Sequence, residues 1–399
     1  MIIRFTARLV CCCMAAVAAG TLGLLPAAAA PRTDSSPRPA PAGSSPLHRP
    51  GTHVGSPGGT PELPGDVSAL SWLVADADTG DVLAAHDAHR PLPPASTIKA
   101  LFAVTALPRL ADSPPHTVTE EELESVGEGS SRVGVAAGRT YTVDDLWRGV
   151  FLSSGNDAVH VLARMNGGWT ATAEQMQTKA RALGAFDTRV VSPDGYDAPG
   201  QVSSAYDLAV FGRAGLADPR FASYVATVDA QFPGGTEDDG TPTWTYGIRN
   251  TNRLLTGANG VEKYPGIIGV KNGYTSHAGN TLIAAARRDG RTLLVTVMNP
   301  QQGGGYSVYE EARSLLDWGF AAAGRAEPVG SLEPPVAQKA PPAGPGPVTP
   351  AATPPARAGA LAEEAGTGIA YAWTGAFVGT AGLAAGLVLR QRRRPGRLS

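Results

Sequence analysis

Ser96 and Lys99 stand three residues apart in PPASTIKALFAVTAL (93–107), a stretch in which Lys99 is the sole charge. Pro94 suits a helix start, and positions i and i+3 share one helix face. A serine in a first helical turn has backbone N–H groups and the positive helix end close by, and both stabilise an oxyanion. A lysine one turn further on, among Ile98, Leu101, Phe102 and Val104, loses solvation. Its pKa falls, and the neutral amine can take the serine proton. The apolar surroundings are then the activating device. The plain alternative is a surface lysine snorkelling beside an unrelated serine. Lysine is scarce in this chain, however: Lys99, Lys179, Lys263, Lys271 and Lys339 are all there are.

Two further stretches carry candidate chemistry. In FLSSGNDAVHVLA (151–163), Ser154-Gly155-Asn156 lies between two helical runs, so a hydroxyl and an amide two residues apart can point into one cleft. Taken alone these are also ordinary turn residues. In GIIGVKNGYTSHAGNT (266–281), residues 267–270 read as a strand continued by Lys271, Asn272, Gly273, Tyr274 and Thr275. A glycine inside a strand marks close approach by another backbone, here expected to be a ligand's, and a strand lysine beside it can hold a carboxylate. The bland reading is an edge lysine next to a bulge.

These residues need elements to position them. Residues 71–89 read as a hairpin turning at Asp78-Thr79-Gly80-Asp81, and 280–299 as a second turning at Asp289-Gly290. Val308, Ala312, Leu315, Leu316 and Phe320 recur at helical spacing. Thr142 and Asp145 form a capping-box pattern before another helix, and 206–216 reads as one more. The expected architecture is an antiparallel sheet built from both chain ends, backed by helices, with a helical insertion in the middle.

The ends read differently. Residues 1–30 carry Arg4 and Arg8, an apolar run and an Ala-x-Ala site, the pattern of a secretory signal. All three cysteines (Cys11, Cys12, Cys13) fall within it, leaving the rest without thiol or disulfide chemistry. Residues 31–65 are rich in Pro, Ser and Gly and are expected to be disordered. The folded domain is expected over 66–325 and a Pro/Ala-rich linker over 326–365. A transmembrane helix is expected over 366–390, because 368–389 is an uncharged run of membrane-spanning length. Arg390, Arg392, Arg393 and Arg394 mark the tail (391–399) as cytoplasmic and the domain as extracellular. A net charge of -2 gives no basic excess that would suggest nucleic acid as a partner. His86 and His89 lie on the first hairpin, and no cluster has zinc-ligand spacing, so no metal is expected.

The order Ser-x-x-Lys, Ser-x-Asn, Lys-x-Gly resembles the penicillin-recognising serine enzymes. The closer resemblance is to the low-molecular-weight D-alanyl-D-alanine carboxypeptidases and covers roughly 68–322. SPDGYDAPGQVSSAYDLA (192–209) looks like that family's linking segment, and NTNRLL (250–255) like its run before the lysine strand. The resemblance implies an α/β (α+β) fold of the β-lactamase/transpeptidase-like kind, an antiparallel sheet flanked by helices with a helical subdomain. It implies Ser96 as acyl-forming nucleophile, Lys99 as its base and Ser154 as proton relay to the leaving D-alanine. Asn156 would hold a substrate amide, Lys271 the terminal carboxylate, and the N–H groups of Ser96 and Tyr274 the oxyanion. Asn272 and Gly273 complete the substrate-binding strand. No cofactor is implied. The implied partners are peptidoglycan stem peptides ending in D-Ala-D-Ala and β-lactam antibiotics as covalent inhibitors. The family's usual residue after the strand lysine is threonine, whereas this chain has Asn272, which also offers a donor. Two other functions compete: a β-lactamase, although the class A Glu-x-x-Leu-Asn run is missing, and a non-catalytic wall-binding module.

Overall fold

The computed structural model describes residues 45–55 and 60–333. The expected signal, spanning helix and tail, and the linker beyond 333, lie outside the described residues. Among the described residues no helix is long and apolar enough to cross a membrane.

One antiparallel sheet organises the fold. Its strands run in the order Thr52–Val54, Asp81–His86, Ala69–Asp76, Arg291–Pro300, Gly279–Arg288 and Ile267–Thr275. Both expected hairpins are present, and they meet at the sheet centre, where Val74 pairs with Val295. Side chains alternate across this sheet with period two. Leu294 and Met298 enter a core with Phe102, Trp147, Phe151 and Phe211. Leu293, Val295 and Val297 enter another with Trp72, Leu315, Leu316 and Trp318. The central strands are therefore apolar on both faces. Helix Ser307–Ala322 covers one face, while Lys99–Leu110 and Ala205–Leu216 cover the other.

The domain is wider than 66–325. Thr52–Val54 pairs with residues 84–86, and Gly330–Ser331 pairs with residues 81–82 of the same strand. Both short strands shield the outer edge of Asp81–His86, which would otherwise present unpaired N–H and C=O groups. Residues 45–55 therefore correct the expectation of a structureless segment up to 65, because backbone pairing holds them without a core of their own.

The middle of the chain is helical as expected. Thr142 caps helix Val143–Leu152 reciprocally with Asp145. It also contains an unforeseen hairpin, Asp229–Thr236 with Pro242–Arg249.

Candidate active site

Ser96 lies in a turn of 3₁₀ helix, Ala95–Ile98, that runs directly into helix Lys99–Leu110. The entry is strained: Ala95 has φ 50°, a left-handed conformation that side chains other than glycine disfavour. Such strain costs on the order of 1–3 kcal/mol and persists where the surroundings over-determine it. Here they do. The Thr281 hydroxyl donates to the Pro94 carbonyl at 2.9 Å, and Gly195 packs so closely that a Cβ there would sit 2.1 Å from the Ala95 carbonyl oxygen.

Lys99 is wholly buried, and its Nζ reaches three of the singled-out residues. It donates to Ser96 Oγ at 2.8 Å and to Asn156 Oδ1 at 2.6 Å, and lies 3.5 Å from Ser154 Oγ. Burial pushes the Lys99 ammonium down to about 8, while Asp194 and Asp157 pull it back up. Neither carboxylate was singled out by sequence. Asp157 also takes the N–H groups of Val133, Gly134 and Val135 and so holds the loop beside Ser154. Ser154 lies between helices Val143–Leu152 and Asn156–Met165, with φ 56°. Asn156, expected only to hold substrate, anchors Lys99 as well.

The third stretch is the sheet's edge strand, Ile267–Thr275. A close approach at Gly273 is made by the protein's own backbone. A Cβ at Gly273 would lie 2.7 Å from the Ser96 amide nitrogen and 2.7 Å from Thr281 Oγ1. The missing side chain lets the nucleophile turn rest on the sheet. Lys271 lies beside Lys99. It is buried, donates to the Asn272 carbonyl at 2.7 Å and is absent from the cavity lining. Burial, then the neighbouring Lys99, hold it well below the ordinary lysine range.

Ser96, Ser154, Asn156, Asn272, Gly273 and Tyr274 line one cavity of about 500 Å³. Its other wall comes from residues 128–131 and 195–197, where the Tyr196 hydroxyl donates to the Glu128 carbonyl at 2.9 Å. A larger cavity, about 630 Å³, lies elsewhere between Ala77, Val210, Arg213 and Ile268 and has no serine or lysine in its wall. Volume therefore does not mark the site; the nucleophile and its buried amine do. Asn272 is oriented by residues that sequence reasoning missed. Thr251 Oγ1 donates to Asn272 Oδ1 at 3.0 Å, which turns the amide nitrogen into the available donor. The Tyr309 hydroxyl donates to the Thr251 carbonyl at 3.3 Å and has the Asn272 side chain as a further neighbour.

A paired serine and buried lysine, joined to a second serine and an open strand edge, is the equipment of an acyl-transferring serine enzyme. The family model for D-alanyl-D-alanine carboxypeptidases matches residues 58–302. The chain belongs to the D-alanyl-D-alanine carboxypeptidase family. It is 42% identical over 279 residues to D-alanyl-D-alanine carboxypeptidase DacB2 of Mycobacterium tuberculosis, covering 69% of this chain and 90% of that one. It is 36% identical over 269 residues to DacD of Escherichia coli K12, spanning 64% of each. Among solved structures, the D-alanyl-D-alanine carboxypeptidase from M. tuberculosis H37Rv aligns with TM-score 0.61 and 40% identity, over 69% of this chain and 98% of that one. The Streptomyces K15 DD-transpeptidase aligns with TM-score 0.58 and 26% identity, over 65% and 100%. This carboxypeptidase-family chain is a serine hydrolase with the penicillin-binding, transpeptidase-like fold.

Proposed function

We propose that the protein trims the terminal D-alanine from peptidoglycan stem peptides through an acyl-enzyme on Ser96. The observation that carries this reading is the 2.8 Å contact between Ser96 Oγ and a fully buried Lys99 Nζ. Neutral Lys99 takes the Ser96 proton as Oγ attacks the penultimate D-alanine carbonyl. Asn156 Oδ1 accepts an N–H of the amine, leaving its lone pair for Ser96. The N–H groups of Ser96 and Tyr274 hold the oxyanion. Ser154 passes the proton to the departing D-alanine nitrogen, and water then cleaves the ester with the same base. The peptide lies along the open edge of Ile267–Thr275 as an added strand. The test is D-alanine release from a peptide ending in D-Ala-D-Ala. Release is the expected result, and penicillin acylation without any release would leave a binding module instead.

The terminal carboxylate falls to Lys271 and, beside it, to the Asn272 amide nitrogen. Hydrogen bonds to charged groups contribute about 1.5–3 kcal/mol. Asn272→Ala should therefore lower kcat/KM by roughly 10- to 150-fold on a peptide with a free carboxylate. A peptide amidated at that end should be poor already, and the variant should harm it little further. Equal losses on both peptides would remove Asn272 from this role.

The catalytic domain is proposed to lie outside the cell membrane, anchored by 368–389. That uncharged run followed by four arginines supports the reading. Protease added to intact cells should shed the domain, and full protection of the domain would count against this topology.

A further inference from the structure

The hairpin Asp229–Thr236 and Pro242–Arg249 carries a feature that the acyl chemistry does not use. Trp244 is 54% exposed, an unusual placement for the largest side chain. It faces Gly235 across the hairpin, at a point where the register shifts on both sides of that glycine. The indole packs on the hairpin backbone at two glycines. A Cβ on Gly234 would come within 2.1 Å of its six-membered ring, and one on Gly235 within 2.7 Å of Nε1. Two successive glycines therefore make a bed for one face of the ring, and more than half of the side chain remains open to solvent. Nε1 has no hydrogen-bond partner among the described residues. Arg139, which makes no ion pair among those residues, stands with its guanidinium 5.9 Å from the ring centroid.

The hairpin is continuous with the catalytic wall. Tyr246, 5.9 Å from Trp244 ring to ring, donates through its hydroxyl to the Val133 carbonyl at 2.6 Å. Ser131, two residues earlier, lines the cavity, and its carbonyl takes the Asn156 N–H at 2.8 Å. One short path of contacts thus joins the open indole to the substrate cavity.

We propose that Trp244 is a stacking platform for a pyranose ring of the glycan strand that bears the stem peptide. This rests on the carboxypeptidase reading for the identity of the polymer. An aromatic face is electronegative, and the C–H bonds on the flat side of a sugar are polarised positive by the neighbouring oxygens, so the two surfaces attract. The free indole N–H, and the Arg139 guanidinium standing over the ring without an ion-pair partner among the described residues, supply donors for hydroxyl or carbonyl oxygens of the sugar. A peptide alone would leave this platform empty, whereas the polymer fills it and the cavity together and gains from the linkage.

The test compares wild type with Trp244→Ala on two substrates and one ligand. On a short soluble peptide ending in D-Ala-D-Ala the two should release D-alanine equally. On glycan-linked pentapeptide the variant should lose about tenfold in kcat/KM, the scale of one aromatic stacking contact. Glycan strands stripped of stem peptides should slow the wild type on a column more than the variant, with Trp244→Phe in between. Equal retention of wild type and Trp244→Ala overturns the proposal. So does equal loss on both substrates together with a lowered Tm, which would make Trp244 a cover for its cross-strand glycines only. Failure of the carboxypeptidase reading shows separately, as no D-alanine from the short peptide with wild type, because the stripped strands contain no D-Ala-D-Ala.

Discussion

Ser96→Ala should abolish D-alanine release, and penicillin should add its mass to Ser96 alone in the wild-type protein. The expected loss is on the order of 10³–10⁶ in kcat, the range seen when a nucleophile that acts as a unit with its base is removed. The substitution deletes one oxygen and leaves the neighbours in place. Lys99 keeps its bond to Asn156 Oδ1, and the turn stays fixed through the Pro94 and Ala95 carbonyls, so folding should be unharmed. Peptide mass mapping of the penicillin-treated protein reads the result directly. An adduct at Ser154, or activity within tenfold of wild type for Ser96→Ala, would end this assignment of the nucleophile.

Lys99 should set the pH profile. A base must be unprotonated to accept, and burial brings this amine down to about 8. Below that value most molecules hold Lys99 as ammonium, so kcat/KM should climb about tenfold per pH unit as pH rises and level off above about 8. Asp194, the carboxylate that favours the ammonium more strongly than Asp157 does, should be a lever on this limb. Asp194→Asn removes a charge that holds the proton on, so the rise should move to lower pH. Lys99→Arg keeps a cation that stays protonated at any working pH, and it should lose about 10²–10⁴ in rate. A flat profile between pH 6 and 9, or an active Lys99→Arg enzyme, would exclude Lys99 as the base.

The parts of this site that were legible in the sequence are those with local signals. Apolar runs around turn residues gave both central hairpins, helical spacing gave helix Ser307–Ala322, and a lone lysine in an apolar run pointed to Lys99 beside Ser96. What stayed hidden depends on residues far apart in the chain. Thr251 and Tyr309 orient Asn272 from elsewhere in the chain, and nothing near Asn272 signals them. Gly273 was noticed, but the backbone that presses on it belongs to Ser96. The edge strands Thr52–Val54 and Gly330–Ser331 are too short to show any period. Pro242–Arg249 is exposed on nearly every residue, so its alternation is lost. The burial of Lys271 needs the whole sheet.

The pairing of Val74 with Val295 has a consequence for the life of a newly made chain. Ribosomes deliver Ser96, Lys99, Ser154 and Asn156 early, but the strand that cradles the nucleophile comes in the final third of the domain. Until Gly279–Arg288 and Arg291–Pro300 zip onto Ala69–Asp76, nothing brings Gly273 beneath the Ser96 amide. Pairings of such sequence separation form late, because the intervening loop must close first. A half-synthesised chain is therefore chemically silent toward its own environment. Covalent capture by penicillin becomes a stopwatch, and the moment the label first attaches marks the moment the sheet is complete.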